Sequence, residues 1–247
     1  MLENLLVVKS GSSSNFDFGE NRINTGFISG LSKEVAELYD KGTNIIIVRS
    51  GAVPIGMRTY GFEEKPKDIV DLQTCAADGE PKLVRVYQRF LEENGLHGGQ
   101  VLVTYGQLNN KYRAQKLSNN LENMLRKRTV PLINYDDAND NKEVRSDNDR
   151  VSLYVAKITH AKRLVLLTDV DGLKDKEGNL IKEIRDDPLK YSYLCTGANS
   201  VSGGGMGMKL KIGADAQQLG ITTHIGNSVH SLSKILNGNP ATIIYPC

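Results

Sequence analysis

Residues 5–14 read LLVVKSGSSS, in which four apolar residues pass directly into a loop of small polar residues around a single glycine. Residues 45–52, IIIVRSGA, repeat this design. Neither apolar run alternates with polar residues, which is typical of strands buried on both faces of a sheet. The segment between them, residues 28–38, has apolar side chains at helical spacing and ends before Gly42. A strand, a helix and a second strand in this order predict a parallel pairing.

The same alternation continues along the rest of the chain. Short apolar runs predict strands at residues 101–104, 130–133, 164–168, 221–225 and 242–245, and helical spacing predicts helices at residues 83–91, 117–126, 208–219 and 229–236. We therefore expect an α/β protein, a three-layer αβα sandwich with a mostly parallel central sheet. No change in composition indicates a linker, so residues 1–247 are expected to form a single domain.

Two polar stretches interrupt this pattern. Residues 136–149 are dense in charge, and we expect them to form a loop that reaches over a site. Residues 174–187 are also polar and predict a hairpin or flap.

The composition predicts a buried core and a polar surface, since 39% of the 247 residues are hydrophobic and 24% are charged. A net charge of +2 is too small to predict nucleic acid or an anionic membrane as a partner. Three distant cysteines without a C-x-x-C pair indicate reduced thiols. The first residues show no leader pattern, and no apolar run approaches the ~20 residues of a membrane span. We expect a soluble, cytoplasmic protein.

Polar groups follow the predicted strands at their carboxyl ends, where open α/β sheets bind ligands. The first strand ends in Lys9 and a loop with Gly11 and Ser12, and the second ends in Ser50-Gly51-Ala52. Glycine lets backbone N–H groups approach an anion, and a lysine beside them supplies a mobile cation. The sequence has no Walker motif. Taken alone, each loop is equally compatible with a plain turn.

Acidic and amide residues follow two further predicted strands. Residues 130–133 lead into Asn134-Tyr135-Asp136-Asp137, and residues 164–168 lead into Asp169. Such residues are often only solvated loop charges. Polar groups at four strand ends along one sheet edge are a stronger indication of a site than any one of them.

A glycine-rich segment, GGGMGMK at residues 203–209, opens the predicted helix at residues 208–219. Free N–H groups and the helix dipole at such a position favour phosphate oxygens, although a flexible linker would have a similar sequence. Two lysines, several clusters of N–H groups and nearby carboxylates are what phosphoryl transfer requires. No Ser-His-Asp, Cys-His or zinc arrangement competes with this interpretation.

Together these motifs resemble the amino acid kinase family, and within it the glutamate 5-kinases, over essentially the whole chain. In chain order the matching segments are VVKSGSS (7–13), SGAV (50–53), AADG (76–79), PLINYDD (131–137), DND (147–149), LLTDVDGL (166–173) and GGMGMK (204–209). The resemblance implies the amino acid kinase fold, which is also the carbamate kinase-like fold.

The resemblance also implies roles for individual residues. The catalytic residues would be Lys9, Lys209 and Asp149, with Asp149 holding the two lysines in place. The residues expected to bind the acceptor are Ser50, Gly51, Ala52, Asn134, Asp137, Asp147 and Asn148, and the Asp137 carboxylate suits an ammonium group. The residues expected to bind ATP are Lys9, Gly11, Ser12, Thr168, Asp169, Gly203, Gly204, Gly205, Met206, Gly207, Met208 and Lys209. Mg²⁺ would be carried by the ATP phosphates, so no protein ligand is assigned.

The implied reaction is the ATP-dependent phosphorylation of the side-chain carboxylate of L-glutamate to γ-glutamyl phosphate, the first step of proline biosynthesis. Residues 1–160 would form the acceptor side and residues 161–247 the ATP side. By analogy with the family we expect a homo-oligomer, a dimer or a tetramer. Many glutamate 5-kinases carry a C-terminal PUA domain, and this sequence, which ends at Cys247, is expected to lack one.

Several residues depart from the family pattern, mostly near the acceptor. Glu80 stands where glutamine is usual, Arg49 where a small or hydroxyl residue is usual, and Ser10 where an aliphatic residue is usual. Other departures are Tyr135-Asp136 within the usual N-E-N-D, Arg145-Ser146 before Asp147, and the absence of R-Y-L-N-A from residues 112–120. Kinase chemistry is therefore a firmer expectation than glutamate as acceptor.

The alternatives that stay open are another acceptor and a non-enzymatic role. The acceptor could be a glutamate analogue, acetylglutamate, aspartate or a phosphate monoester, for which Arg49, Arg145 and Arg150 are possible contacts. A catalytically silent nucleotide-binding regulator is the remaining possibility, and the presence of both Lys9 and Lys209 argues against it.

Overall fold

The computed structural model describes residues 4–139, 148–195 and 205–246. The strands in this part of the chain are β1 (Leu5–Ser10), β2 (Phe16–Asp17), β3 (Arg22–Ile23), β4 (Asn44–Arg49), β5 (His97–Val103), β6 (Thr129–Tyr135), β7 (Arg163–Thr168), β8 (Glu183–Ile184), β9 (Thr222–Asn227) and β10 (Thr242–Ile244). Its α-helices are α1 (Ser12–Asn15), α2 (Thr25–Asp40), α3 (Ala52–Tyr60), α4 (Ile69–Glu93), α5 (Tyr105–Leu108), α6 (Lys111–Arg126), α7 (Asn148–Ile158), α8 (Met206–Gln218) and α9 (Leu232–Leu236). A 3₁₀ helix covers Pro188–Leu194.

The described strands form a central eight-stranded sheet in the order β5-β6-β4-β1-β7-β9-β10-β8. Six neighbouring strands run parallel to one another, namely β5, β6, β4, β1, β7 and β9. Strand β10 pairs antiparallel to β9. Strand β1 lies between β4 and β7, with Lys9 in register with Val48 on one side and Leu166 on the other. The chain therefore changes direction across the sheet at β1, which is where open α/β sheets place their ligands.

The sheet is covered by helices on both faces, because neighbouring side chains of each strand point to opposite sides. Val7 and Ile46 belong to one hydrophobic cluster, together with buried residues of α6, α7 and α8. Leu6 and Ile45 belong to a second cluster, together with residues of α2, α4 and α9. The predicted three-layer sandwich with a mostly parallel sheet is confirmed.

Several elements differ from the sequence prediction, which started β5 and α6 late and did not include the short elements α1, α5, β2 and β3. Helix α4 begins at Ile69, well before the predicted start at residue 83, and Asp68 caps it by accepting a hydrogen bond from the Val70 N–H at 2.7 Å. Helices α3 and α7 were not predicted at all, since short helices with mixed polar faces give a weak periodic signal. The end of the predicted loop at residues 136–149 is wrong, because Asn148 and Asp149 lie in the first turn of α7.

The polar stretch at residues 174–187 contains the predicted hairpin. Lys174 and Leu180 form an antiparallel bridge, and β8 then adds an edge strand to the main sheet beside β10. Among the described helices, none combines the length and apolar composition that crossing a bilayer requires.

A buried histidine in the central sheet is expected to make the fold sensitive to mild acid. His224 on β9 is buried, and burial lowers its pKa to about 4 from the ordinary 6.5. The unfolded chain takes up this proton below pH 6.5 and the folded chain only near pH 4. Stability is therefore lost as pH falls across that window, by up to about 3 kcal/mol.

Urea unfolding of wild type and His224→Leu at pH 7 and pH 4.5 measures this effect. The wild type is expected to lose more free energy of unfolding than the variant, because only the wild type has this proton to bind. Equal losses in the two proteins would show that His224 is not the group responsible.

Candidate active site

A buried carboxylate bridges two lysines at the centre of the carboxyl edge of the sheet. Asp149, in the first turn of α7, lies 2.7 Å from the Lys9 ammonium at the end of β1 and 3.1 Å from the Lys209 ammonium on α8. Asp149 is 1% exposed and Lys209 is 7% exposed. Three separate elements therefore bring together the three residues that were predicted to be catalytic.

The electrostatics of this cluster keep Asp149 ionised. Burial by itself would raise the pKa of the Asp149 carboxyl, but the Lys9 and Lys209 ammonium groups outweigh burial and hold the pKa below its usual 3.8. The carboxylate in turn orients both ammonium groups through charge-assisted hydrogen bonds. The result is a fixed pair of cations with one negative charge between them.

The first of two neighbouring clefts has a volume of about 640 Å³ and contains the two lysines. The predicted ATP-binding residues that line it, besides Lys9 and Lys209, are Gly11, Ser12, Thr168, Asp169, Gly205 and Met206. Gly207 is buried within α8, and Met208 packs against the hydrophobic core. Gly203 and Gly204 lie outside the described residues. We call this the nucleotide-side cleft, and its size suits a ligand of nucleotide dimensions.

The second cleft, of about 520 Å³, lies on the other side of Ser12 and Phe18, which line both. The predicted acceptor residues that line it are Ser50, Gly51, Ala52, Asp137 and Asn148. Asp147 lies outside the described residues. We call this the acceptor-side cleft. Lys9 and Lys209 line the nucleotide-side cleft, and Asn148, next to Asp149 in α7, lines the acceptor-side cleft, so the lysine bridge lies close to both clefts.

Asn134, a predicted acceptor residue, lines not the acceptor-side cleft but a smaller one of about 250 Å³ that shares Ala52 and Asp137 with it, and its hydrogen bonds connect residues of the acceptor-side cleft. The Asn148 side-chain N–H₂ donates to Asn134 Oδ1 at 3.1 Å and to Ser50 Oγ at 2.8 Å. Asn134 Nδ2 donates in turn to the Glu80 carboxylate at 2.9 Å. Three of the predicted acceptor residues are thus joined in one hydrogen-bonded chain.

Two glycines allow the backbone to approach closely at this edge. Gly51, the N-cap residue of α3, has φ +117°, a conformation that favours glycine. A Cβ at Gly79 on α4 would lie 1.9 Å from the Ala52 carbonyl oxygen, so only glycine lets α4 pack against the start of α3. This explains physically why the A-A-D-G segment carries a glycine.

Sequence reasoning missed a buried polar cluster that joins the loops after β1 and β4. Asn15 Nδ2 donates to Ser10 Oγ at 2.9 Å and to the Ser50 carbonyl at 2.9 Å, and the Tyr87 hydroxyl donates to Asn15 Oδ1 at 2.6 Å. Burial raises the pKa of Tyr87 to about 12, which keeps this donor protonated. The cluster gives the unusual Ser10 its hydrogen-bonding partners.

Sequence reasoning also missed an ion pair that binds Asn134 through Glu80. The Arg49 guanidinium donates to both oxygens of Glu80, at 2.6 and 3.1 Å. Each residue had been noted only as a separate departure from a family pattern, and the structure shows that the two departures pair with each other.

This geometry is suited to phosphoryl transfer. Two fixed ammonium groups in the nucleotide-side cleft, close to the acceptor-side cleft, would stabilise the negative charge that spreads over a phosphoryl group during its transfer. Because the cations are already in place, they need no rearrangement as that charge develops.

Comparison with known proteins assigns the family. The pattern of the amino acid kinase family matches residues 4–227. The chain belongs to the amino acid kinase family. It is similar to the glutamate 5-kinase of Photorhabdus laumondii, with 34% identity over 95% of this chain and 66% of that protein. It is also similar to the glutamate 5-kinase of Clostridium acetobutylicum, with 32% identity over 98% of this chain and 95% of that protein.

Solved structures of amino acid kinase relatives share the fold. Carbamate kinase from Giardia lamblia, bound to AMP-PNP, superposes with a TM-score of 0.70 at 12% identity over 100% of both chains. UMP kinase from Ureaplasma parvum superposes with a TM-score of 0.66 at 14% identity over 98% of this chain and 99% of its own. At these identities the likeness concerns the fold alone. This chain spans 66% of the length of the Photorhabdus glutamate 5-kinase.

Proposed function

We propose that this protein is an ATP-dependent kinase, a transferase that converts the side-chain carboxylate of L-glutamate to γ-glutamyl phosphate and so begins proline biosynthesis. The observation that carries the proposal is the bridge from Lys9 through Asp149 to Lys209, whose lysines line the nucleotide-side cleft beside the acceptor-side cleft. The glutamate 5-kinases that align over most of the chain support L-glutamate as the acceptor.

A carboxylate acceptor fits the chemistry of the lysine cluster. The side-chain carboxyl of glutamate, with an ordinary pKa of about 4.3, is already ionised at neutral pH and attacks the γ-phosphorus without a general base. Asp149 is held by two ammonium groups and is therefore a poor base. An acceptor that must first lose a proton, such as an alcohol, would need a base elsewhere.

ATP would occupy the nucleotide-side cleft, with its phosphates directed towards Lys9 and Lys209. The N-terminus of α8 opens onto this cleft through Gly205 and Met206, and its free N–H groups suit phosphate oxygens. Mg²⁺ fits as an ion that enters on those phosphates, because Asp149 is already engaged and Asp169 lies at the exposed end of β7. When bound, Mg²⁺ would neutralise phosphate charge.

The two clefts correspond in part to the proposed division of the chain. Residues 1–160 would contribute the acceptor side and residues 161–247 most of the ATP side, although Lys9, Gly11 and Ser12 also line the nucleotide-side cleft. We propose a cytoplasmic homo-oligomer acting on small molecules. Cys75 and Cys195, the cysteines in the described part of the chain, are both free thiols, as a reducing compartment requires.

ADP release with ATP and Mg²⁺ tests the function directly. L-glutamate would be compared with acetylglutamate, aspartate and phosphate monoesters, with hydroxylamine present to trap an acyl phosphate as a hydroxamate. We expect ADP release and hydroxamate formation that depend on L-glutamate. Turnover with a different acceptor would refute the glutamate assignment and keep the kinase, whereas ATP binding without turnover on the panel would favour a silent regulator.

One of the three arginines considered for a phosphate monoester acceptor is already engaged. A phosphate monoester would need arginines exposed in the acceptor-side cleft, but Arg49 is fully buried and engaged by Glu80. Arg145 lies outside the described residues, and Arg150 is exposed on α7.

Replacing Asp137 is expected to weaken binding of the amino acid. Asp137 lines the acceptor-side cleft with Ser50 and Asn148 and offers a carboxylate to an α-ammonium group. Asp137→Asn should raise KM for L-glutamate about 10–100-fold with little change in kcat, because a charge-assisted hydrogen bond is worth about 1.5–3 kcal/mol. Steady-state kinetics at saturating ATP measures both constants.

The neighbouring carboxylate provides the matched control. Asp136 accepts from Asn139 within its own loop, so Asp136→Asn should leave KM for L-glutamate within about twofold of wild type. If Asp137→Asn and Asp136→Asn have the same KM, Asp137 does not bind the ammonium group.

A further inference from the structure

The Arg49–Glu80 ion pair lies beside the acceptor-side cleft, because Glu80 and Asn134 line a smaller cleft of about 250 Å³ that shares Ala52 and Asp137 with it. Arg49 is the last residue of β4 and is 0% exposed, and Glu80 on α4 is 7% exposed. A buried ion pair is weak evidence for stability, because removing two charges from water offsets much of their attraction. Its bidentate geometry, by contrast, holds both side chains in one orientation. The main effect of the pair is therefore expected on the residues that donate hydrogen bonds to the Glu80 carboxylate.

Glu80 fixes the orientation of Asn134. A carboxylate in this pair has no proton to donate, so the Asn134 amide must present its N–H₂ group to Glu80, at 2.9 Å. The Asn134 carbonyl oxygen then points the other way and accepts from Asn148 at 3.1 Å.

The orientation passes from Asn134 to the wall of the cleft. Because Asn134 presents an oxygen, Asn148 must present its N–H₂ group, which also donates to Ser50 at 2.8 Å. The Asn148 Oδ1 atom is left buried and without a hydrogen-bond partner among the described residues. The orientation of the amide of a cleft residue is thus set by a carboxylate two hydrogen bonds away.

A neutral amide at position 80 would not impose this order. Glutamine both donates and accepts, so Asn134 and Asn148 would each have two orientations of similar energy. We propose that the Arg49–Glu80 ion pair positions the acceptor site: it fixes the amide of Asn134, and through it Asn148 and Ser50, and thereby sets the affinity for the acceptor substrate. This inference rests on the proposed function, in which the acceptor-side cleft holds the substrate to be phosphorylated.

The residues that hydrogen-bond to the ion pair lie on the acceptor side, so its loss is expected to change KM for the acceptor substrate and not KM for ATP. The Glu80 carboxylate also accepts from Gln100 at 3.1 Å, and Asn134 and Gln100 both lie on the acceptor side of the sheet, on β6 and β5. Lys9 and Lys209, which line the nucleotide-side cleft, lie on β1 and α8, and neither element carries a residue of this hydrogen-bonded chain. Loss of the pair should therefore change KM for the acceptor and leave KM for ATP unchanged.

The double variant Arg49→Met with Glu80→Gln is the main test, because it removes both charges at nearly constant volume. Kinetics would use the acceptor that supports ADP release by wild type, so failure of L-glutamate alone would change the reagent but not the test. We expect KM for the acceptor to rise about 10-fold, with KM for ATP within about twofold. A stable double variant with wild-type KM for the acceptor would show that the pair is merely structural.

A second variant covers the case in which the double variant does not fold. Glu80→Asp keeps the charge, but its side chain is one methylene shorter and cannot hold Arg49 and Asn134 at their present positions together. It should also raise KM for the acceptor about 10-fold, and a folded Glu80→Asp protein with unchanged KM would overturn the proposal. Gln100→Ala, which removes a different hydrogen bond from the same carboxylate, is the control and should stay within about twofold of wild type.

Discussion

Lys209→Ala and Lys9→Ala are each expected to lower turnover by a factor of about 10²–10³. Each variant removes one of the two fixed cations of the nucleotide-side cleft, which in the proposed reaction stabilise the charge that develops on the transferred phosphoryl group. The loss should fall mainly on kcat, since a cation that acts on the transition state contributes little to binding of the acceptor. Steady-state ADP release, with each substrate varied in turn, measures the effect.

Both variants should remain folded, because Asp149 keeps one lysine partner in each. Lys211→Ala is the matched control, since Lys211 is an exposed lysine on the same helix as Lys209. The control should retain wild-type turnover. A folded Lys9→Ala or Lys209→Ala protein with wild-type turnover would remove that lysine from the catalytic machinery.

Asp149→Asn is expected to lower both activity and stability. The change leaves two ammonium groups side by side in a buried site without their counter-charge. Breaking a buried ion pair in this way typically costs about 3–5 kcal/mol. Both lysines also lose their orientation, so turnover should fall by about 10³ or more, at least as far as in either lysine variant. Thermal or urea unfolding and ADP release measure the two effects.

The pH dependence of the wild type supplies an independent check. The folded pKa of Asp149 lies below 3.8, so its contribution to stability is complete above that value and is lost as pH falls through the lowered pKa. Asp149→Asn should therefore lack this acid-dependent loss. Asp215→Asn, at an exposed carboxylate on α8, is the control and should keep both stability and turnover. Wild-type stability in Asp149→Asn would contradict the structural role of the bridge.

Much of the fold follows from local sequence, because strands buried on both faces and amphipathic helices leave a periodic signal. The strands β1, β4, β6 and β7 were predicted nearly at their observed positions, and with them the alternation that produces a parallel sheet. Helix α7 was missed because the polar segment before it extends into its first turn, so its buried apolar residues begin only at Val151. The start of α4 was missed because its first turns are short of large buried side chains.

Part of the candidate site could be predicted from the sequence, because the carboxyl ends of parallel strands lie along one edge of the sheet. This rule, together with the family resemblance, led to Lys9, Asp149 and Lys209. The structure places the Asp149 carboxylate 2.7 Å from the Lys9 ammonium and 3.1 Å from the Lys209 ammonium. The acceptor residues Ser50, Asn134 and Asn148 are likewise found in contact. The assignment of Met208 to the ATP site remains a prediction, and its side chain packs on the hydrophobic core.

The sequence by itself determined the α/β class, the parallel sheet and the chemical types of the residues along its carboxyl edge, because these depend on local periodicity and on motifs a few residues long. Only the tertiary structure decided which distant residues meet. Arg49 and Glu80 are 31 positions apart, and Tyr87 and Asn15 are 72 positions apart. Such contacts depend on how helices pack across a sheet, for example on α4 approaching α3 at Gly79. A hydrogen bond or ion pair between two elements leaves no periodic trace in either of them, so it becomes visible only when the elements are packed together.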